Sequence, residues 1–410
     1  MKPNFITRRA IQLGLTANAL RPLPGEPLAF PTFFAGWLTG ELAPQLLALT
    51  AVDTAAHLAR HGVRTRGDKI GLAMAGLTAA GLTALITGSR RAGEVMTKAL
   101  EEGLGRDYQD GLDPVTDLGT TLAQLALPFR VRSANVRRHH DIAYAPGGRR
   151  FMLDVYYPRE LVEGRPVLLQ VHGGAWVIGN KEQQGLPLMM HMAERGWICV
   201  AINYPLSPAA RWPQHIIAAK RAIGWIREHI HTYGGDPEFL AVTGGSAGGH
   251  LASLLALTQN DAALQPGFAD QDTSVQACVP HYGVYDFAAT TGERASTARL
   301  KNLISRYVFE TGRDPVQYLD DYVAASPLDR ITDKAPPFFV VHGERDSLVP
   351  VREAREFVRR LRSASQNPVA YAEIPGAQHA FDIFPSIRSA HVVRGVERFL
   401  EWSYAHSRAH

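Results

Sequence analysis

Three residues far apart in the chain, Ser246, Asp346 and His379, have the side-chain types that nucleophilic acyl transfer needs. A serine hydroxyl is a poor nucleophile at neutral pH, so an imidazole must take its proton. The imidazole in turn needs a carboxylate to fix its tautomer and stabilise the imidazolium. Ser246 is the centre of Gly244-Gly245-Ser246-Ala247-Gly248, a G-x-S-x-G pattern. The apolar run Phe239–Thr243 precedes it, and a Leu-rich helical pattern at Leu251, Leu254 and Leu255 comes after it. The motif requires that strand–turn–helix setting, because the nucleophile stands on a strained turn and flanking glycines let strand and helix approach without Cβ clashes. Alone, the pentapeptide reads equally well as a glycine-rich loop with an idle serine.

Ligand sites in an open parallel sheet form beyond the carboxyl ends of the strands, so the residues just past each apolar run are informative. Val167–Val171 leads into His172-Gly173-Gly174-Ala175-Trp176, and Phe239–Thr243 leads to Ser246. Phe338–Val341 leads into His342-Gly343-Glu344-Arg345-Asp346, and Val369–Ile374 into Gly376-Ala377-Gln378-His379. An ester carbonyl gains negative charge in the transition state, and backbone amides must hold it, each worth about 3–4 kcal/mol of barrier. Ala247 N–H is one candidate; Gly173 and Gly174 are the others, since glycine lets the backbone come close to a substrate oxygen. His172 and Trp176 on either side are candidates for the substrate pocket. Asp286 is an alternative acid without matching spacing to His379, and His250 reads as a structural residue of the helix after Ser246. Each piece has a plain reading as a surface histidine, a turn aspartate or a loop. Four pieces in one order on four strand ends favour the catalytic reading.

These residues need a scaffold, and the pattern after about Arg132 supplies one. Asp141–Tyr144 and Phe151–Tyr157 flank Pro146-Gly147-Gly148, which suggests a hairpin. Val167–Val171 and Trp197–Ile202 are continuous enough for strands covered on both faces. Ile216, Ala219, Ile223, Ile226 and Ile230 recur at helical spacing between Pro213 and Tyr233, where Gly234-Gly235 ends the helix. Val275–Val279, Phe338–Val341 and Val369–Ile374 are further strands, and Arg352–Leu361 and Val392–Trp402 further helices. This alternation predicts one doubly wound, mostly parallel α/β sheet. Phe287–Asp321, rich in Arg, Tyr and Phe, falls between two strands and reads as an excursion that covers the substrate.

From about Arg132 to its end, the chain resembles the α/β-hydrolase carboxylesterases and lipases of the hormone-sensitive-lipase-like group. His172–Trp176 is similar to that group's HGG oxyanion loop, and Gly244–Gly249 to its nucleophile elbow. Asn203–Pro208 resembles its Y-R-L-x-P segment. Together with Arg211–Ile216 and the apolar N-terminal region, these motifs look closest to actinobacterial cell-envelope esterases. The order Ser246, Asp346, His379 is the order of that fold's triad. The resemblance implies the α/β-hydrolase fold and a cofactor-free serine carboxylesterase acting on short- to medium-chain acyl esters. Ala175-Trp176 stands where the lipase pattern has a third glycine, and H-G-G-x-W is also similar to kynurenine formamidases and to feruloyl and acetyl-xylan esterases. Aryl formamides and carbohydrate acyl esters therefore stay open as substrates, and so does a catalytically silent binding protein.

At 410 residues the chain is expected to hold two units, a helical region over 1–130 and an α/β catalytic domain over 131–410. Phe33–Val52 and Ile70–Ser89 are candidate transmembrane segments. The second carries no charge between Lys69 and Arg90-Arg91 and would span about 30 Å as a helix. Gly71, Ala75 and Ala79 recur every four residues, as in helices that pack closely in lipid; the alternative is a buried Ala/Gly-rich helix of a soluble bundle. Glu41 and Pro44 are awkward in the first segment. Arg8-Arg9 and the small residues near Ala17–Ala19 faintly resemble a secretion signal, interrupted by Gln12, Gly14 and Asn18. Glu101–Leu127, with Asp113-Pro114, reads as a connector. These features predict a membrane or cell-envelope location, the cytoplasm being the alternative. Net charge is +4 with a pI near 9.0, and the basic residues are scattered, so no nucleic-acid surface is predicted. Cys199 and Cys278 lie in apolar runs and read as buried, without a disulfide or metal. No Walker loop, H-E-x-x-H or G-x-G-x-x-G points to nucleotides or zinc.

Overall fold

The apolar runs that lead into the two glycine-rich turns become neighbouring strands at the middle of one sheet. This computed structural model describes residues 4–23, 29–112, 120–310 and 312–408. Its strands are β1 (Val136–Ala143), β2 (Met152–Pro158), β3 (Arg165–Val171), β4 (Ile198–Ile202), β5 (Gly235–Gly245), β6 (Ala277–His281), β7 (Phe338–Gly343) and β8 (Val369–Ile374). They lie in the order β1-β2-β4-β3-β5-β6-β7-β8. The β1–β2 and β2–β4 pairings are antiparallel and every other pairing is parallel. All residues of β4, β6 and β7 are buried. Strands covered on both faces cannot alternate polar and apolar residues, which is why they read as continuous runs.

Ahead of the sheet come α1 (Phe5–Leu20), α2 (Ala29–Glu41), α3 (Ala43–His61), α4 (Arg66–Arg90), α5 (Ala92–Leu104) and the short α6 (Leu122–Ala126). Among and after the strands come α7 (Leu186–Glu194), α8 (Gln214–His229), α9 (Ala247–Leu257), α10 (Arg294–Arg299), α11 (Leu319–Ala324), α12 (Val351–Ala364) and α13 (Ile387–Ser407). One face of the sheet is packed by α8, α9 and α12 through residues such as Ile223, Leu254 and Phe357. The other is packed by α7 and α13 through Met192, Val396 and Phe399, joined by Met96, Ala99 and Leu100 of α5. A Cβ on Gly103 would lie 2.6 Å from the Ala370 Cα of β8, so α5 sits directly on the sheet edge. The Phe287–Asp321 excursion forms α10 and a π-helix, Leu300–Val308, whose Ile304 and Val308 join the first core.

Phe33–Val52 is not a single membrane-length helix. It breaks at Leu42, where the backbone leaves the helical region and Pro44 starts the next helix. Glu41 explains the difference further: its carboxylate is buried against the Arg388 guanidinium and accepts from Ser386 Oγ at 2.7 Å. The segment is thus committed to the protein interior at that point. Ile70–Ser89 lies wholly within α4, the one helix among the described residues long and apolar enough to cross a membrane. The signal-like N-terminus forms α1, whose Phe5 stacks on His57 and whose Arg8 and Arg9 pair with Asp53 of α3. Asp113-Pro114 of the expected connector lies outside the described residues. Cys199 and Cys278 are both free and buried.

Candidate active site

The site grows from the end of β5. Ser246 takes φ 59° and ψ −120°, a left-handed conformation that a serine adopts only where its surroundings enforce it. Its N–H donates to His281 O (3.0 Å), and its carbonyl accepts from His250 N as α9 begins. A Cβ on Gly244 would meet Gly248 O at 2.5 Å, and one on Gly248 would meet Val171 O at 2.1 Å. Only glycines permit this turn. From Phe239 to Thr258, Ser246 is the only residue that is not buried.

His379 and Asp346 come from the loops after β8 and β7. His379 Nδ1 lies 2.6 Å from Asp346 Oδ2, while Asp346 Oδ1 accepts from the amides of Leu348 (2.9 Å) and Val349 (2.8 Å). Both side chains are buried. Burial alone would push the Asp346 carboxyl up. The neighbouring His379 and the hydrogen bonds from His342 and His379 outweigh it, holding the group well below the usual carboxylate range. An ionised acceptor on Nδ1 leaves Nε2 as the nitrogen free to take a proton. Asp286 has no part in this pair: its carboxylate accepts from Thr290 N (2.8 Å) and from Thr291, closing its own loop.

The glycine turn after β3 faces the same point, for a Cβ on Gly173 would lie 3.1 Å from Ser246 Cβ. Gly173 N–H, however, donates to Gln184 Oε1 at 2.7 Å. Gly174 and Ala247 carry the amides without a partner among the described residues. Sequence reasoning had no signal for Gln184, which lies eleven residues beyond the glycine it caps.

Both expected pocket side chains lie beneath the turn rather than in the opening, each only 1% exposed. His172 stacks on Tyr204, donates from Nδ1 to Gly173 O (2.7 Å), and is pushed down to about 4 by burial. It is a neutral brace for the turn. Trp176 Nε1 donates to His250 Nδ1 (3.2 Å), and His250 Nε2 donates to Ala325 O (2.8 Å). Burial pushes His250 down to about 3, so it stays neutral and structural. Trp176 is large and apolar, and the sheet's core is where such a ring gains most by burial.

Two groups at the site lay outside the sequence reading. Tyr282, just past β6, sets its ring 4.7 Å from that of His379. The His281-Tyr282 pair could have been found by the strand-end rule, since it comes directly after an apolar run. Phe33 of α2 approaches His379 edge-on at 5.8 Å, and Trp37 stacks on Phe33 at 5.7 Å and meets Phe384 at 5.6 Å. In sequence these aromatics are hidden inside an apolar stretch that looks like a membrane segment.

The BD-FAE family profile matches residues 153–361. The probable carboxylic ester hydrolase LipM of Mycobacterium tuberculosis is 44% identical over 97% of this chain and 92% of its own length. Esterase LipQ of the same organism is 41% identical over 92% of this chain and 86% of its own. Among solved structures, Thermogutta terrifontis esterase 2 aligns with a TM-score of 0.52 at 24% identity, covering 64% of this chain and 92% of that one. The last likeness shows the fold.

Proposed function

Since the chain belongs to the BD-FAE family of α/β-hydrolase carboxylic ester hydrolases, we propose that Ser246, His379 and Asp346 perform its reaction. The observation that carries this reading is the buried His379–Asp346 pair, linked through the Tyr282 ring to the strained, glycine-walled turn that carries Ser246. His379 Nε2 takes the Ser246 proton as Oγ attacks the ester carbonyl, and the amides of Gly174 and Ala247 hold the oxyanion. Gly173 joins them only if its amide leaves Gln184. His379 then protonates the departing alcohol, and water attacks the acyl-enzyme by the same groups in reverse.

The substrate side is argued from α2. Phe33 and Trp37 form an aromatic wall beside the base, and Phe30 and Phe34 carry it outward, 63% and 50% exposed. Such a wall suits an apolar acyl chain. Trp176, buried beneath the turn, presents no ring surface to a sugar or an aryl formamide in this arrangement. Hydrolysis of p-nitrophenyl esters from acetate to palmitate tests the assignment. Phe33→Ala should shift the preferred chain length towards longer acyl groups by several-fold in kcat/KM, and an unchanged profile would remove α2 from the acyl site. The N-terminal helices are proposed to rest against a membrane: α4 carries no charge from Ile70 to Ser89, most of that stretch is not buried, and Leu49, Val52 and Leu77 are exposed.

A further inference from the structure

The catalytic histidine sits on the stretch between the end of β8 at Ile374 and the start of α13 at Ile387, with no regular structure to fix it. A base must be held to about 0.5 Å of its working geometry, and an error near 1 Å costs on the order of 100-fold in rate. The bond to Asp346 fixes the far side of the ring. The near side meets Tyr282, whose backbone has φ 36°, a costly value for an aromatic residue and a mark of a constrained functional position. Ala380, the neighbour of His379, is also left-handed at φ 59°.

The Tyr282 side chain reaches three things at once. Its ring lies 4.7 Å from the His379 ring. Its hydroxyl edge closes on the nucleophile turn, where a Cβ on Gly245 would lie 2.7 Å from it. Its O–H donates to Asp382 Oδ1 at 2.5 Å. Asp382 lies three residues after His379, and its other oxygen is 2.7 Å from His281 Nδ1. One carboxylate thus ties the loop of the base to the end of β6, and the same end of β6 accepts the Ser246 N–H through His281 O. Burial holds the phenol well above its ordinary value, so it remains a donor.

We propose that Tyr282, clamped by Asp382, is a positioning residue that sets the distance between His379 and Ser246. Its part is to hold the imidazole ring in place rather than to exchange a proton, so it acts through the base. The proposal rests on the triad reading. Removing the hydroxyl alone lets the ring and the His379 loop drift, while the pocket that binds the acyl chain stays as it was.

The test compares the full-length parent with Tyr282→Phe, Asp382→Asn and the double variant, each counted by titration with a fluorophosphonate. Tyr282→Phe should lower kcat per titrated site about tenfold with KM unchanged within twofold. Asp382→Asn should do the same, and the double variant should be no slower than the worse single, because both break one clamp. A kcat per titrated site equal to the parent's in either single variant would overturn the clamp. So would a loss that multiplies in the double variant. A parent that takes up no phosphonate at Ser246 would instead overturn the triad, and the clamp with it, before any variant is compared.

Discussion

Asp346 shows how one residue can be expensive to bury and still worth keeping. Its carboxylate lies in the interior with its oxygens met by His379, Leu348 N and Val349 N. A buried charge tolerates that place only when its partners are present. Asp346→Asn keeps the shape but can hold His379 in the wrong tautomer, so kcat should fall on the order of 10⁴-fold with little change in KM. The substitution also has a pH signature. The folded carboxyl titrates below its unfolded value of about 3.9. Its contribution to stability is therefore complete above that value and disappears as pH falls through the lower folded value. Acid unfolding monitored by circular dichroism should be shallower for Asp346→Asn than for the parent below about pH 4. Parallel curves would mean that the pair contributes nothing to the folded state.

At the scale of elements, the strand–turn–helix of β5 and α9 works because backbones meet where side chains would not fit. Gly248 opens α9 directly against the end of β3. Gly248→Ala puts a methyl 2.1 Å from Val171 O, and backbone cannot yield as a flexible side chain does. The expected cost is about 1–3 kcal/mol, read as a lower denaturant midpoint, with activity falling as the turn shifts. An unchanged midpoint would mean that the close approach is looser than it looks. This element was fully legible, since its glycines, its apolar strand and its Leu-rich helix are all local signals. So were β3, β7 and β8, whose runs end within two residues of the strands observed. The α2 helix was not legible in the same way. Phe33 and Trp37 owe their role to packing against the His379 loop, more than 300 residues later, and an apolar helix carries the same pattern whether it faces lipid or a partner loop.

Across the whole molecule, the N-terminal helices and the sheet share surfaces. The α5 helix completes the layer made by α7 and α13, α2 stands beside His379, and Glu41 is buried against Arg388 of α13. Composition alone marked this region as helical and apolar. It could not show which faces were spoken for, because that depends on contacts between distant segments. Among the described residues, α3 and α4 leave Leu49, Val52 and Leu77 exposed, with Arg64, Arg66 and Lys69 exposed where those helices meet. Apolar area flanked by basic groups favours an anionic lipid surface. The full chain should co-sediment with vesicles containing anionic lipid, and a Val52→Ser, Leu77→Ser variant should bind several-fold more weakly. Equal binding by parent and variant would remove this face from the account.

If Ser246 is the nucleophile of this esterase, replacing it with Ala must abolish turnover without disturbing the fold. With p-nitrophenyl butyrate as substrate, the variant should lose on the order of 10⁶ in kcat while keeping the parent's circular dichroism and unfolding midpoint. A folded Ser246→Ala variant that retains most of the parent's turnover would mean that another group attacks the ester.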